Sequence, residues 1–168
     1  MSSVADRKNK GYLGERKRKF LVVVDDTAEC SRALRYASRR ALHTGGRLMI
    51  VKIITPADFQ HWLGVERVMR EEAEAEARRV LENFSREIEA SAGQTPELVI
   101  REGQPAQQIT QLIEEDNEIA LLVLGAGTQA NGPGPLVSLF AGALAGSFPI
   151  PITIVPGDLK DEDIEALA

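Results

Sequence analysis

Two short stretches hold the residues whose types and spacing suit chemistry. Asp25-Asp26-Thr27 closes the apolar run Phe20–Val24, and Gly125 opens a glycine-rich loop at the end of a second apolar run that begins at Ile119. Glycines let backbone N–H groups approach an anion, and a hydroxyl side chain at a following helix start adds a donor. On that chemistry Gly125, Gly127, Thr128 and Ser138 are candidates for holding a phosphate. A structural reading stands beside it: Gly125 and Gly127 make a tight exit from a strand, and Asp25 and Thr27 cap a helix. Pro133 and Pro135 in the same loop each remove a backbone donor, the reverse of what a phosphate cradle needs.

Catalytic chemistry finds less support. The two histidines, His43 and His61, do not share a metal-binding spacing, and the single cysteine, Cys30, is far from both. His43 reads as a helix-end or surface group, His61 beside Trp62 as part of a surface or partner patch, and Cys30 as a small residue near a helix start. There is no Gly-x-Ser-x-Gly elbow and no Gly-Lys-(Ser/Thr) phosphate loop. No catalytic residue and no metal site is assigned.

The elements that must position these stretches alternate. Phe20–Val24 reads as a strand covered on both faces. A helix follows from Ala28 to about Thr44, ended by Gly45-Gly46. Arg47–Ile54 is a second strand, closed by Pro56, and 57–63 is a connector. A long helix runs from about Gly64 to Ala92, with Gly93 as its stop. Glu97–Arg101 is a third strand, and Pro105 starts a helix with Ile109, Leu112 and Ile113 on its buried face. Ile119–Leu124 is a fourth strand, Leu136 to about Ser147 a last helix, and Ile150–Val155 a fifth strand. This order implies one α/β domain, a doubly wound parallel sheet with helices on both faces. In such sheets a ligand sits beyond the carboxyl ends of the strands, where the strand order reverses. Both Asp25-Asp26-Thr27 and the Gly125 loop lie at that edge.

Charge divides the 168 residues unevenly. The net charge is −5, yet residues 1–19 carry seven Lys/Arg against Asp6 and Glu15, a surplus of five, which leaves the other 149 residues at −10. We read 1–19 as a basic arm that is flexible or locally docked, 20–157 as the domain and 158–168 as an acidic tail. An acidic body with little aromatic interleaving in its basic arm argues against nucleic acid as a partner. No apolar stretch approaches the roughly 20 residues that span a bilayer, and MSSVADRKNK lacks the apolar middle of a secretory signal, so a cytoplasmic location is expected.

Three segments carry a resemblance. "FLVVVDDTAECSRALRYASRRALHTGGRLMIVKII", "VIREGQPAQQITQLIEEDNEIALLVLGAG" and "FPIPITIVPG" together resemble the universal stress protein family over about residues 20–157. The resemblance implies a five-stranded parallel sheet ordered 3-2-1-4-5, and a homodimer paired through the last strand at Ile152, Thr153, Ile154 and Val155. It also implies a role in stress response, with ATP bound in one branch of the family and not in another. The binding branch carries Gly-x2-Gly-x9-Gly-(Ser/Thr) after strand four. Here Gly125 matches the first glycine, but Thr128 stands at the second and Ser138-Leu139 at the closing pair. A register on Gly132 and Gly142 fails at Gln129 and Ala143.

The resemblance also places Asp25 near the adenine and ribose of a bound nucleotide, with Val51 and Ile53 available to line an adenine pocket. Two readings follow. One is a non-catalytic homodimeric regulatory module that binds a protein partner or small ligand. The other is a nucleotide sensor for ATP or AMP with Mg, hydrolysing ATP slowly at most through Asp25 and Gly125–Leu139.

Overall fold

The computed structural model describes residues 18–55 and 66–168. The basic arm up to residue 17, Pro56, the 57–63 connector with His61 and Trp62, and the first two residues expected of the long helix lie outside the described residues. Five parallel strands pair in the order β3-β2-β1-β4-β5. They are β1 (Lys19–Val24), β2 (Arg47–Ile54), β3 (Glu97–Glu102), β4 (Ile119–Ala126) and β5 (Ile152–Pro156). The helices are α1 (Ala28–Thr44), α2 (Glu66–Ala92), α3 (Pro105–Glu115), the single turn α4 (Pro135–Ser138) and α5 (Asp161–Leu167). A π-helical turn, Leu139–Ala143, continues α4.

Period-two alternation sends β1 side chains to both faces. Phe20, Val22 and Val24 pack with Leu48 and Ile50 of β2 under Ala33, Leu34 and Ala37 of α1 and Leu81 and Ile88 of α2. Leu21 and Val23 pack with Met49 and Val51 under Ile109, Leu112 and Ile113 of α3 and Val137 and Phe140 of the last turns. With both faces covered, each buried aliphatic side chain contributes about 1.5–3 kcal/mol, and the strands read as continuous apolar runs. Gly45, at φ 67°, closes α1, and the Gly46 N–H donates back to the Ala41 carbonyl at 2.8 Å.

Several boundaries depart from the sequence reading; β3, β4 and β5 run one or two residues further, to Glu102, Ala126 and Pro156, and three other departures carry a physical reason. Lys19, counted there with the basic arm, is the first residue of β1 and is buried. Its ammonium lies 2.6 Å from Asp116, 2.8 Å from Glu97 and 3.5 Å from Glu118. Burial alone would lower its pKa, but the bonds to Asp116 and Glu97 outweigh it and hold the pKa above the ordinary value. The last helix does not reach Ser147: it is one α turn and a π turn ending at Ala143, with Phe140 fully buried and edge-on to Phe148 at a centroid distance of 4.8 Å. β5 begins at Ile152 rather than Ile150, because Pro149 and Pro151 lack the N–H that a ladder needs.

The acidic residues after Lys160 form α5, packed on α1. Ile164 is fully buried. Arg32 meets Asp161 at 2.5 Å, while Arg35 and Arg39 meet Glu165 at 3.2 and 2.8 Å. His43 Nδ1 lies 2.8 Å from the Ala168 carbonyl oxygen.

The two sheet edges differ. The β3 edge carries Glu97, Arg101 and Glu102, which engage Lys19, Glu115 and Arg70. The β5 edge carries no charge, and Ile154 on it is 38% exposed.

Candidate functional site

A cleft of about 470 Å³ opens at the carboxyl ends of the strands, between β1 and β4, where the strand order reverses. Its floor is Val23, Val24 and Leu124. One wall is Ile53 with the start of α3 (Gln104, Pro105, Ala106). The other is the loop Pro133–Pro135 with Leu136 and Leu139. Polar groups on the lining come from Asp25, Thr27, Glu29, Lys52, Thr55 and Gln104.

Asp25 is held by its own turn. Its Oδ1 accepts the Thr27 N–H at 3.0 Å and the Thr27 hydroxyl, an Asx turn that turns the chain into α1. Thr27 is the N-cap residue by backbone, yet its hydroxyl makes no cap bond because it turns back to Asp25. The expectation that Thr27 caps through its side chain is therefore corrected. Asp25 Oδ2 has no hydrogen-bond partner among the described residues and stays available. Asp26 is 86% exposed and meets Lys52 Nζ at 3.2 Å. Cys30 sits beneath the cleft, where burial pushes its thiol up to about 11. This makes it a packing group rather than a nucleophile.

Of the residues singled out from sequence, Asp25, Thr27, Ile53, Gly125 and Leu139 line the cleft. Asp26 touches it only through Lys52. Val51 does not reach it: the side chain is fully buried in the core under α3, two residues too far from the carboxyl end. Gly127, Thr128 and Ser138 are not on the lining, and Thr128 and Ser138 are exposed. Leu139, at the place where a closing hydroxyl would stand, presents an apolar side chain instead.

The glycine loop is closed on itself. The Gly127 N–H donates to the Pro133 carbonyl at 3.1 Å, Gly132 to Gln129 at 3.0 Å and Ser138 to Gly134 at 3.0 Å. Gly125 is the seventh residue of β4, paired with Val155. A Cβ there would lie 2.5 Å from the Glu29 carbonyl oxygen, and one on Gly157 would lie 2.9 Å from Glu29 Cβ. Close approach of the first turn of α1 therefore requires these two glycines.

Glu29, Lys52 and the Gln104–Ala106 turn were missed from sequence, while the Pro133–Leu136 wall falls inside the Gly125–Leu139 loop named there. The α3 start was within reach, since it follows the carboxyl end of β3 as Asp25 follows that of β1. Among the described residues no group of three or more His, Cys, Asp or Glu is arranged to hold a metal ion, and no helix is long and apolar enough to cross a membrane.

An open five-stranded parallel sheet, wound on both faces and cleft at its switch point, defines the chain as a small doubly wound α/β domain. It belongs to the universal stress protein family, whose model matches residues 17–156. Among solved structures it is similar to the universal stress protein UspA from Lactobacillus plantarum, at 19% identity and a TM-score of 0.67 over 84% of this chain and 99% of that one. A universal stress protein in complex with cAMP shares 17% identity, with a TM-score of 0.60 over 86% and 100% of the two chains. The Archaeoglobus fulgidus universal stress protein in complex with dAMP shares 20%, with a TM-score of 0.56 over 84% and 99%. At these identities the likeness is one of fold. No curated protein matches the chain in sequence.

Proposed function

We propose that the protein is a non-catalytic regulatory module of the stress response in the cytoplasm, working as a homodimer whose cleft takes an adenine mononucleotide. The observation that carries the ligand is the cleft itself. It is apolar on floor and walls, sized for a purine nucleoside and placed at the switch point, with the free Oδ2 of Asp25 available to accept from ribose hydroxyls. Two proteins of the same fold are described with cAMP and with dAMP, which supports an AMP-type ligand. The self-closed loop and its two prolines disfavour ATP with Mg as the resident ligand, and among the described residues no cleft side chain has the partner set of a general base.

The uncharged β5 edge supports pairing of two copies. The Leu122 N–H donates to the Pro151 carbonyl at 3.1 Å, and in a parallel ladder alternate residues of a strand face the same neighbour. Thr153 and Val155 therefore bond toward β4, and Val155 is buried. Ile152 and Ile154 turn their N–H and C=O groups outward. Of the four edge residues named from sequence, these two offer the pairing groups.

Calorimetric titration of nucleotide-stripped protein with AMP, cAMP and Mg-ATP tests the ligand. Micromolar AMP or cAMP binding, weakened about tenfold or more in Asp25→Ala, supports it. No heat and no thermal stabilisation at millimolar nucleotide overturns it and leaves the second reading, a module for a protein partner, which the exposed Ile154 edge favours.

A further inference from the structure

We propose that Glu29 sets the ligand class of the cleft: its carboxylate lies against the glycine loop, so that the site admits an adenine nucleoside or its monophosphate and rejects the polyphosphate of ATP. This rests on the adenine-ligand reading above and deepens it. The Glu29 backbone is wedged. Its carbonyl oxygen lies 2.5 Å from where a Gly125 Cβ would stand, and its own Cβ 2.9 Å from that of Gly157. From that backbone the side chain runs to the loop, where its Oε1 lies 3.0 Å from the Cβ position of Gly127. Glu29 is half-buried and lines the cleft. Neither of its carboxylate oxygens has a hydrogen-bond or ion-pair partner among the described residues, so the group lacks a donor.

The rest of the cleft has the same sign. Asp25 adds a second carboxylate with a free oxygen, while Lys52, the one cation on the lining among the described residues, is already paired with Asp26. The loop amides of Gly127 and Gly132 are spent on loop carbonyls. A polyphosphate entering here meets repulsion from Glu29 and few free donors. A ligand bringing hydroxyl hydrogens meets two acceptors in need of them.

The test is calorimetric titration of adenosine, AMP and ATP, without Mg, into wild type and Glu29→Gln, which keeps the shape and removes the charge. Wild type is expected to bind adenosine and AMP each about tenfold or more tighter than ATP, a gap that narrows as salt screens the carboxylate. In Glu29→Gln the adenosine-over-ATP ratio falls about tenfold. The wild-type ratio and its salt dependence need no variant to fold. Wild type binding ATP as tightly as adenosine, or an unchanged ratio in Glu29→Gln, overturns the role of Glu29 and leaves the adenine-ligand reading intact. Absence of binding by all three ligands in both proteins overturns that reading and this one together.

Discussion

Replacing Gly125 with alanine separates a glycine required by packing from one required by a ligand. The added Cβ would stand 2.5 Å from the Glu29 carbonyl oxygen and 2.8 Å from its carbonyl carbon. A comfortable carbon–oxygen approach is about 3.3 Å or more, so roughly 0.8 Å of overlap must be relieved. Both sides are backbone, the end of β4 and the first turn of α1, and neither can rotate away as a side chain does. Burying the methyl returns about 0.8 kcal/mol. Overpacking costs about 1–3 kcal/mol, and two backbone partners place this case at or above the upper end, for a net loss of about 2 kcal/mol. For a domain of this size that is a fall in melting temperature of about 4–8 °C. Gly142→Ala is the control: nothing lies within 4 Å of its Cβ position, and alanine is the better helix former by about 1 kcal/mol. Thermal unfolding of the ligand-free proteins by circular dichroism reads both. A Gly125→Ala variant melting within about 1 °C of wild type would refute the packing argument, above all if its AMP affinity were lost.

Three further outcomes are expected. The folded chain holds the Cys30 thiol neutral up to about pH 11, whereas its ordinary pKa is 9.0. Between those values the unfolded chain has lost a proton that the folded chain keeps, so stability falls as pH rises through the window, by up to roughly 3 kcal/mol. Urea midpoints at pH 8 and 10.5 should show this fall in wild type and a smaller one in Cys30→Ala. At the β5 edge, Ile154→Pro should yield a folded monomer in light scattering and Thr153→Pro a destabilised chain, because only the latter removes a donor to β4; a dimer surviving Ile154→Pro would exclude this edge as the interface. On α5, Ile164→Ala should cost about 2–5 kcal/mol, whereas Glu165→Gln, part of a half-exposed ion-pair group, should cost less than about 1 kcal/mol. Equal losses in chemical denaturation would show that charge, not burial, docks the helix.

What sequence made legible follows the strength of local signals. β1, α1 and β2 were readable nearly to the residue because apolar runs on both faces and the Gly45-Gly46 stop leave few alternatives. The last helix was over-read: Leu136, Val137, Phe140 and Leu144 repeat like a helix face, but a π turn shifts the register and Gly142 and Gly146 weaken its continuation. Val51 was misplaced because burial on both faces hides a strand's parity. Access to the cleft depends on distance from the carboxyl end, which favours Ile53. Glu29 was illegible for a different reason. A glutamate in a first helical turn is ordinary dipole chemistry, and only the contacts with Gly125 and Gly157, about a hundred residues away, give it a direction.

The unlike edges of the sheet bear on how far assembly can run. A strand edge is a reactive end, and a sheet with two such ends adds units without limit. Here Arg101 and Glu102 on β3 are tied up in ion pairs, while β5 is bare. In the language of chain growth a sheet with one such bare edge would be monofunctional. Joining two copies through β5 about a two-fold axis consumes the single reactive end of each and leaves only the charged β3 edges outside. If two copies pair as proposed, growth would stop at two, and the edge that permits self-association would also guard against fibres.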